Sequence, residues 1–170
     1  MNKVSFIIPH KGREDLLEQT LASIFSLDTD LSLIEVFVVT QNESLETIEQ
    51  IFSKPNLTIL YENANLTISA LRNIGARHSN GDYFAFLDAD VKLSSNWLTQ
   101  MQSLLVKRPS RALVSAIQKN SDNAPPLEKR RTELSNISID CNVEFLPGRN
   151  LFLHRNTFDA VQGFPEHLAT

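Results

Sequence analysis

Gly81-Asp82-Tyr83-Phe84-Ala85-Phe86-Leu87-Asp88-Ala89-Asp90 is the stretch that decides how this chain is read. Its apolar core, residues 83–87, is the length of a buried strand, and two carboxylates follow as it ends. Ligands of open α/β sheets bind outside the carboxyl ends of the strands. Asp88 and Asp90 therefore fall where a ligand would lie. Two hard oxygen donors two residues apart, with no His or Cys beside them, suit Mg²⁺ or Mn²⁺ carrying a phosphate. A lone Asp-x-Asp is equally what a loop of turn and cap residues looks like, so the neighbours must discriminate.

Outward from this stretch, strand and helix patterns alternate. Residues 4–8 and 34–39 are continuous apolar runs, as in strands covered on both faces. Between them Leu16, Leu17, Leu21, Ile24 and Phe25 share a helical face. A short helix is expected over 44–52, stopped by Pro55, and a third strand over 57–61. Thr67 can cap a helix running to about Ser79, with Asn80-Gly81 as a left-handed stop. Ser94 or Ser95 can cap a helix carrying Trp97, Leu98, Met101, Leu104 and Leu105, and a fifth strand is expected over 113–117. The series predicts an α/β fold, a Rossmann-like mostly parallel sheet with helices on both faces. Residues 119–138 are polar, with Pro125-Pro126 and the basic Lys129-Arg130-Arg131, and read as a flexible connection or lid. Strand character resumes over 145–153, and a short helix over 156–161 precedes Gly163.

Composition bounds the function. The 170 residues fit one domain, and 42% apolar content indicates a globular chain. A net charge of −4 argues against a nucleic-acid binder, which needs a basic face. No apolar run is long enough for a membrane span, and the opening run is too short and β-branched for a signal peptide. A cytoplasmic protein is expected, with peripheral attachment at the inner face of a membrane compatible. The single Cys141 leaves no internal disulfide. The Asn-x-Ser/Thr sequons at Asn42, Asn56, Asn65 and Asn136 matter only in a secreted chain.

Four segments then coincide in order: Val4-Ser5-Phe6-Ile7-Ile8-Pro9; Leu71-Arg72-Asn73-Ile74-Gly75-Ala76-Arg77 followed by the Gly81–Asp90 stretch; Gly148-Arg149-Asn150-Leu151-Phe152; and Gln162-Gly163-Phe164-Pro165-Glu166. Together they resemble the family-two glycosyltransferases, inverting enzymes of the GT-A fold that use nucleotide-diphosphate sugars. The resemblance implies a divalent metal on Asp90 and Asp88, with Asp88 also near the ribose. It implies a nucleotide-sugar site at Pro9, His10, Arg13, Thr40, Asn42, Arg72, Asp88 and Ala89. Gly148, Arg149 and Asn150 would line the acceptor side, and Gly163 and Phe164 would be a turn and a core anchor. Residues 1–118 would form the nucleotide-sugar half, and 119–170 a flexible segment and the start of the acceptor side.

Two departures from the family pattern stand out. Thr40-Gln41-Asn42 occupies the end of the second strand, where the family commonly has an Asp for the base, so the nucleotide is open. The family's catalytic carboxylate follows the Gly-Phe-x-Glu segment by a few residues, so the base is expected beyond Thr170 and Glu166 is not assigned that role. A nucleotide-sugar-binding module without turnover is the alternative. Leu87-Asp88-Ala89-Asp90-Val91 also fits the haloacid-dehalogenase phosphatases, but their motif ends the first strand of the domain. No Gly-x-Gly-x-x-Gly follows a strand, which argues against a dinucleotide-binding Rossmann domain.

Overall fold

The computed structural model describes residues 2–108, 112–120, 123–136, 141, 143 and 146–168. In chain order the elements are β1 (Val4–His10), α1 (Glu14–Phe25), a 3-10 turn (Leu31–Leu33), β2 (Ile34–Thr40), α2 (Glu46–Ile51), β3 (Leu57–Tyr61), α3 (Ile68–His78), β4 (Tyr83–Leu87), α4 (Trp97–Lys107), β5 (Leu113–Ser115), α5 (Pro126–Ser135), β6 (Asn150–His154) and α6 (Arg155–Ala160). The six strands form one sheet in the order β3-β2-β1-β4-β6-β5. β1 to β4 are parallel, whereas β6 runs antiparallel to both β4 and β5. The expected mostly parallel α/β sheet is therefore present. Residues beyond 118 complete it from the middle, because β6 inserts between β4 and β5.

The period of two along each strand sorts the apolar side chains onto two faces. Val4, Phe6 and Ile8 of β1, with Ala85 and Leu87 of β4, pack against Leu17, Leu21 and Ile24 of α1 and Trp97, Leu98 and Met101 of α4. Ile7, Phe84 and Phe86 point the other way, into a smaller cluster with Ala76 of α3, Leu151, Leu153, Phe158 and Phe164. Each fully buried Phe, Leu or Ile contributes about 1.5–3 kcal/mol. Cores on both faces explain why the strands read as unbroken apolar runs.

Glycine sets how closely α3 approaches the sheet. A Cβ on Gly75 would stand 2.5 Å from Ile7 Cγ2 and 3.2 Å from Val39 Cγ2. The helix therefore lies directly across the carboxyl ends of β1 and β2, which carries Arg72 to the mouth of the sheet. Gly75→Ala should destabilise the fold by about 1–3 kcal/mol through overpacking. Chemical denaturation would show it as a lower midpoint at unchanged slope, and an unchanged midpoint would mean that α3 sits more loosely.

Several local expectations are corrected. Gly81 is no left-handed stop: among the described residues positive φ occurs only at Gly12, Gln162 and Gly163. Instead α3 ends at Ser79, which is extended at φ −88° and ψ 158°. Gly81 is required for close approach, since a Cβ there would stand 2.7 Å from the Ser5 amide nitrogen. That contact belongs to a buried anchor in which Glu35 accepts from Ser5 Oγ (2.7 Å) and the Gly81 amide (3.0 Å) and pairs with Lys3 Nζ (2.6 Å). Burial pushes the Glu35 carboxyl up, but these bonds and the Asn80 amide outweigh it and hold it below its ordinary value. Neither Ser94 nor Ser95 caps α4. Asn96 is its N-cap without a side-chain bond to the helix backbone, its Oδ1 instead accepting from Ser94 Oγ at 3.0 Å. β5 stops at Ser115, two residues short of the expected end.

The stretch read as a flexible connection contains α5. This helix has no apolar stripe; Thr132 bonds Asn120 Oδ1 (2.7 Å), and Asn136 bonds Gln118 through both backbone groups of that residue. Polar docking leaves no periodicity to read. Thr67 caps α3 as expected, accepting from the Ala70 amide at 3.1 Å. Phe145, the expected start of the last strand, lies outside the described residues. Among the described residues no helix is long and apolar enough to cross a membrane.

Candidate functional site

β1 and β2 end side by side, with Pro9 opposite Val39 and His10 opposite Thr40. Beyond them opens a cavity of about 330 Å³, which the turn after β4 also lines. Of the residues named from the sequence, Pro9, His10, Arg13, Asp88, Ala89 and Asp90 border it. Lys11, Leu16, Gln41, Ile68 and Leu71 border it as well and were not anticipated. Apolar walls with a few convergent polar groups are what a small-molecule site requires.

The two carboxylates have different surroundings. Asp88 Oδ1 accepts from Arg72 Nη2 at 2.8 Å, and the Asp88 amide donates to the Arg149 carbonyl at 3.0 Å. Asp90 is more exposed, and among the described residues its carboxylate meets only Arg13 Nη2, at 3.9 Å. α1 fastens the turn from behind: Thr20 Oγ1 donates to the Ala89 carbonyl (2.9 Å), and the Leu93 amide donates to Ser23 Oγ (3.0 Å). Thr20 and Ser23 occupy the otherwise apolar face of α1, a signal that buried polar groups there have partners. Among the described residues no three His, Cys, Asp or Glu side chains gather into a metal cluster. The Asp88/Asp90 donor set still fits a hard divalent cation, which takes few protein carboxylates and fills its shell from phosphate and water.

Other residues named from the sequence lie elsewhere. Thr40 and Asn42 do not border the cavity. Asn42 clasps the loop after β1 in both directions, accepting from the Gly12 amide (2.8 Å) and donating to its carbonyl (3.1 Å). Thr40 Oγ1 accepts from the Asn42 amide (3.1 Å) and pairs with His10 Nδ1 (2.9 Å). His10 is buried, and its Nε2 has no hydrogen-bond partner among the described residues. Burial pushes the imidazole below its ordinary value, opposed by the Arg13 carbonyl and the Glu14 carboxylate, so the ring is neutral at pH 7.

Arg72 is a strut rather than a wall of the cavity. Besides Asp88 it donates to the Gly148 carbonyl (3.0 Å), and its guanidinium lies 5.3 Å from the Phe164 ring centroid. Gly148 and Arg149 are thereby tied to Asp88 through backbone groups, and Asn150 is buried opposite Leu87. Phe164 packs edge-on to Phe86 at 4.9 Å, the core anchor expected of it. Glu166 is held by Asn73 Nδ2 (2.8 Å) and Arg77 (3.5 Å), away from the cavity.

The chain is 26% identical over 172 residues to glycosyltransferase AglE of Haloferax volcanii, covering 97% of this chain and 57% of that protein. It is 31% identical over 106 residues to the O-antigen biosynthesis protein RfbC of Myxococcus xanthus, covering 59% of this chain and 8% of that one. Among solved structures, the mannosyltransferase PcManGT of Pyrobaculum calidifontis, in complex with GDP-Man and Mn²⁺, superposes with a TM-score of 0.78 at 19% identity. That match covers 98% of this chain and 48% of the other. S. aureus TarS in complex with UDP gives 0.77 at 18% identity, covering 99% and 52%. At such identities these structures establish the fold, that of the GT-A glycosyltransferases. The chain spans 57% of AglE and about half of each of these two solved chains. The model of glycosyl transferase family 2 matches residues 5–164, nearly the whole chain, and this chain therefore belongs to that family.

Proposed function

We propose that the cavity holds a nucleotide-diphosphate sugar and that the chain serves transfer of the sugar to an acceptor hydroxyl with inversion. The observation that carries this reading is the placement of Asp88 and Asp90 on the rim of a cavity built at the ends of β1, β2 and β4. Mg²⁺ or Mn²⁺ would be held by Asp90 and, behind it, Asp88. When bound it would offset the charge that develops on the departing diphosphate.

The chain's own residues do the positioning. Arg72 fixes the Asp88 carboxylate so that one oxygen stays in place beside the ribose and metal positions. Thr20 and Ser23 hold the turn rigid, so Asp90 is presented rather than recruited. Pro9, Leu16, Ile68 and Leu71 supply apolar walls against which an uncharged part of the donor can pack. Arg13, at the start of α1, stands near Asp90 and can exchange that carboxylate for a phosphate oxygen. In the displacement the acceptor oxygen bonds to the anomeric carbon from the face opposite the diphosphate, the bond to the diphosphate breaks, and the hydroxyl proton passes to a base. Binding without turnover is the second reading, supported by one observation: among the described residues, Asp88 and Asp90 are the only carboxylates that border the cavity.

The test is release of nucleoside diphosphate from a panel of UDP-, GDP- and dTDP-sugars in the presence of Mn²⁺. Release from at least one donor, stopped by a chelator, is expected. Saturable donor binding with no release in any acceptor mixture would leave the binding-module reading.

A further inference from the structure

Arg149 carries a charge that the rest of the site leaves unmatched. Its carbonyl accepts from the Asp88 amide at 3.0 Å, one step beyond the pairing of Leu87 with Asn150, so Arg149 stands directly opposite Asp88. Side chains opposite one another in an antiparallel pair project from the same face of the sheet. By register the Asp88 carboxylate is the counter-ion at hand, but its Oδ1 is already held by Arg72 Nη2 at 2.8 Å. Arg149 is half-buried, and among the described residues its guanidinium has no hydrogen bond, ion pair or ring contact. Two guanidiniums therefore share the neighbourhood of one carboxylate. A cation that gives up part of its hydration without a counter-ion costs free energy, which an anionic ligand recovers.

The place of Arg149 in the sheet says which ligand that is. In strand order β1 and β2 lie on one side of β4, and β6 lies on the other. The cavity is bordered from the β1 and β2 side and by the turn after β4, and no residue of β6 lines it. A donor seated there leaves the end of β6 uncovered, and Arg149 immediately precedes Asn150, the first residue of that strand. In-line displacement brings the acceptor from the face opposite the diphosphate, and the end of β6 is the part of the sheet left for it.

Resting on the proposed nucleotide-diphosphate sugar site, we infer that Arg149 binds an anionic group, a carboxylate or a phosphate, of the acceptor. The guanidinium fork fits either group through two parallel hydrogen bonds. It also offsets the repulsion that an anionic acceptor meets on approaching the donor diphosphate. Arg149 forms no bond to the reacting atoms. It holds the acceptor by its charge while the hydroxyl attacks.

Phenylglyoxal, which modifies free guanidiniums, reports on Arg149 in the native chain when the modified peptides are mapped by mass spectrometry. UDP or GDP, whichever binds, is kept saturating with Mg²⁺. Methyl glucuronide and glucose 1-phosphate are the anionic probes; methyl glucoside and chloride at matched ionic strength are the controls. At saturation at least one anionic probe should slow modification of Arg149 about tenfold, and neither control should. Modification of the exposed Arg130 should be the same throughout. The better protector identifies the group as carboxylate or phosphate. In Arg149→Gln, calorimetry should show binding of that probe weakened about tenfold or more. Equal modification with and without the anions, or equal protection by the glucoside, would overturn this inference alone. Absence of nucleotide binding in the same samples would remove it together with the proposed function.

Discussion

Asp90→Asn should lower metal-dependent donor turnover by about a hundredfold or more while leaving the melting temperature within a degree or two of the parent. A cation acting on a departing diphosphate supplies several kcal/mol of charge stabilisation, and about 1.4 kcal/mol is a factor of ten in rate. The Asp90 side chain is 56% exposed and among the described residues meets only an exposed Arg13 at 3.9 Å, so the fold has little to lose. Asparagine keeps the shape and one oxygen donor but removes the charge that a hard cation needs. Turnover measured against Mn²⁺ concentration should show a raised half-saturation as well as a lower maximum. Unchanged turnover at limiting Mn²⁺ would mean that Asp90 is only a turn residue.

Arg72→Ala should act in the opposite sense, on stability first, with a loss of roughly 2–4 kcal/mol. Arg72 is 9% exposed and joins three parts of the chain: Asp88 after β4, the Gly148 carbonyl before β6, and the Phe164 ring. Truncation leaves the Gly148 carbonyl short of a donor and Asp88 without its partner. Asp88 is 39% exposed and can recover some hydration, which keeps the expected loss below that of a fully buried pair. Arg72→Lys is the control. One ammonium on a thinner stem can reach Asp88 or Gly148 but has no planar face for Phe164, so it should rescue only part of the loss. Denaturant unfolding of the three proteins measures this. A melting temperature unmoved in Arg72→Ala, with nucleotide binding lost, would return Arg72 to the cavity.

The strands were legible because burial on both faces writes unbroken apolar runs. Val4 through Ile8 and Tyr83 through Leu87 needed no tertiary information. Asp88 and Asp90 were legible because a strand end is a position that sequence alone can locate. α5 was not, since its anchoring residues Thr132 and Asn136 are polar and contact a loop. Neither was the division of labour at the end of β2. Thr40, Gln41 and Asn42 are three consecutive polar residues, and only the fold shows which of them fasten the loop and which borders the cavity. Arg72 was legible as a residue near the site but not as a strut, because its partners Gly148 and Phe164 are 76 and more residues away in the chain.

In the proposed function, Asp90 and Asp88 would hold a divalent cation that makes this cavity a nucleotide-sugar site. Its most direct test is titration of UDP and GDP into the native chain, once with Mn²⁺ and once with a chelator. The expected result is saturable binding of at least one nucleotide with Mn²⁺ and binding about tenfold or more weaker without it. Binding of equal strength in the two titrations would contradict the account.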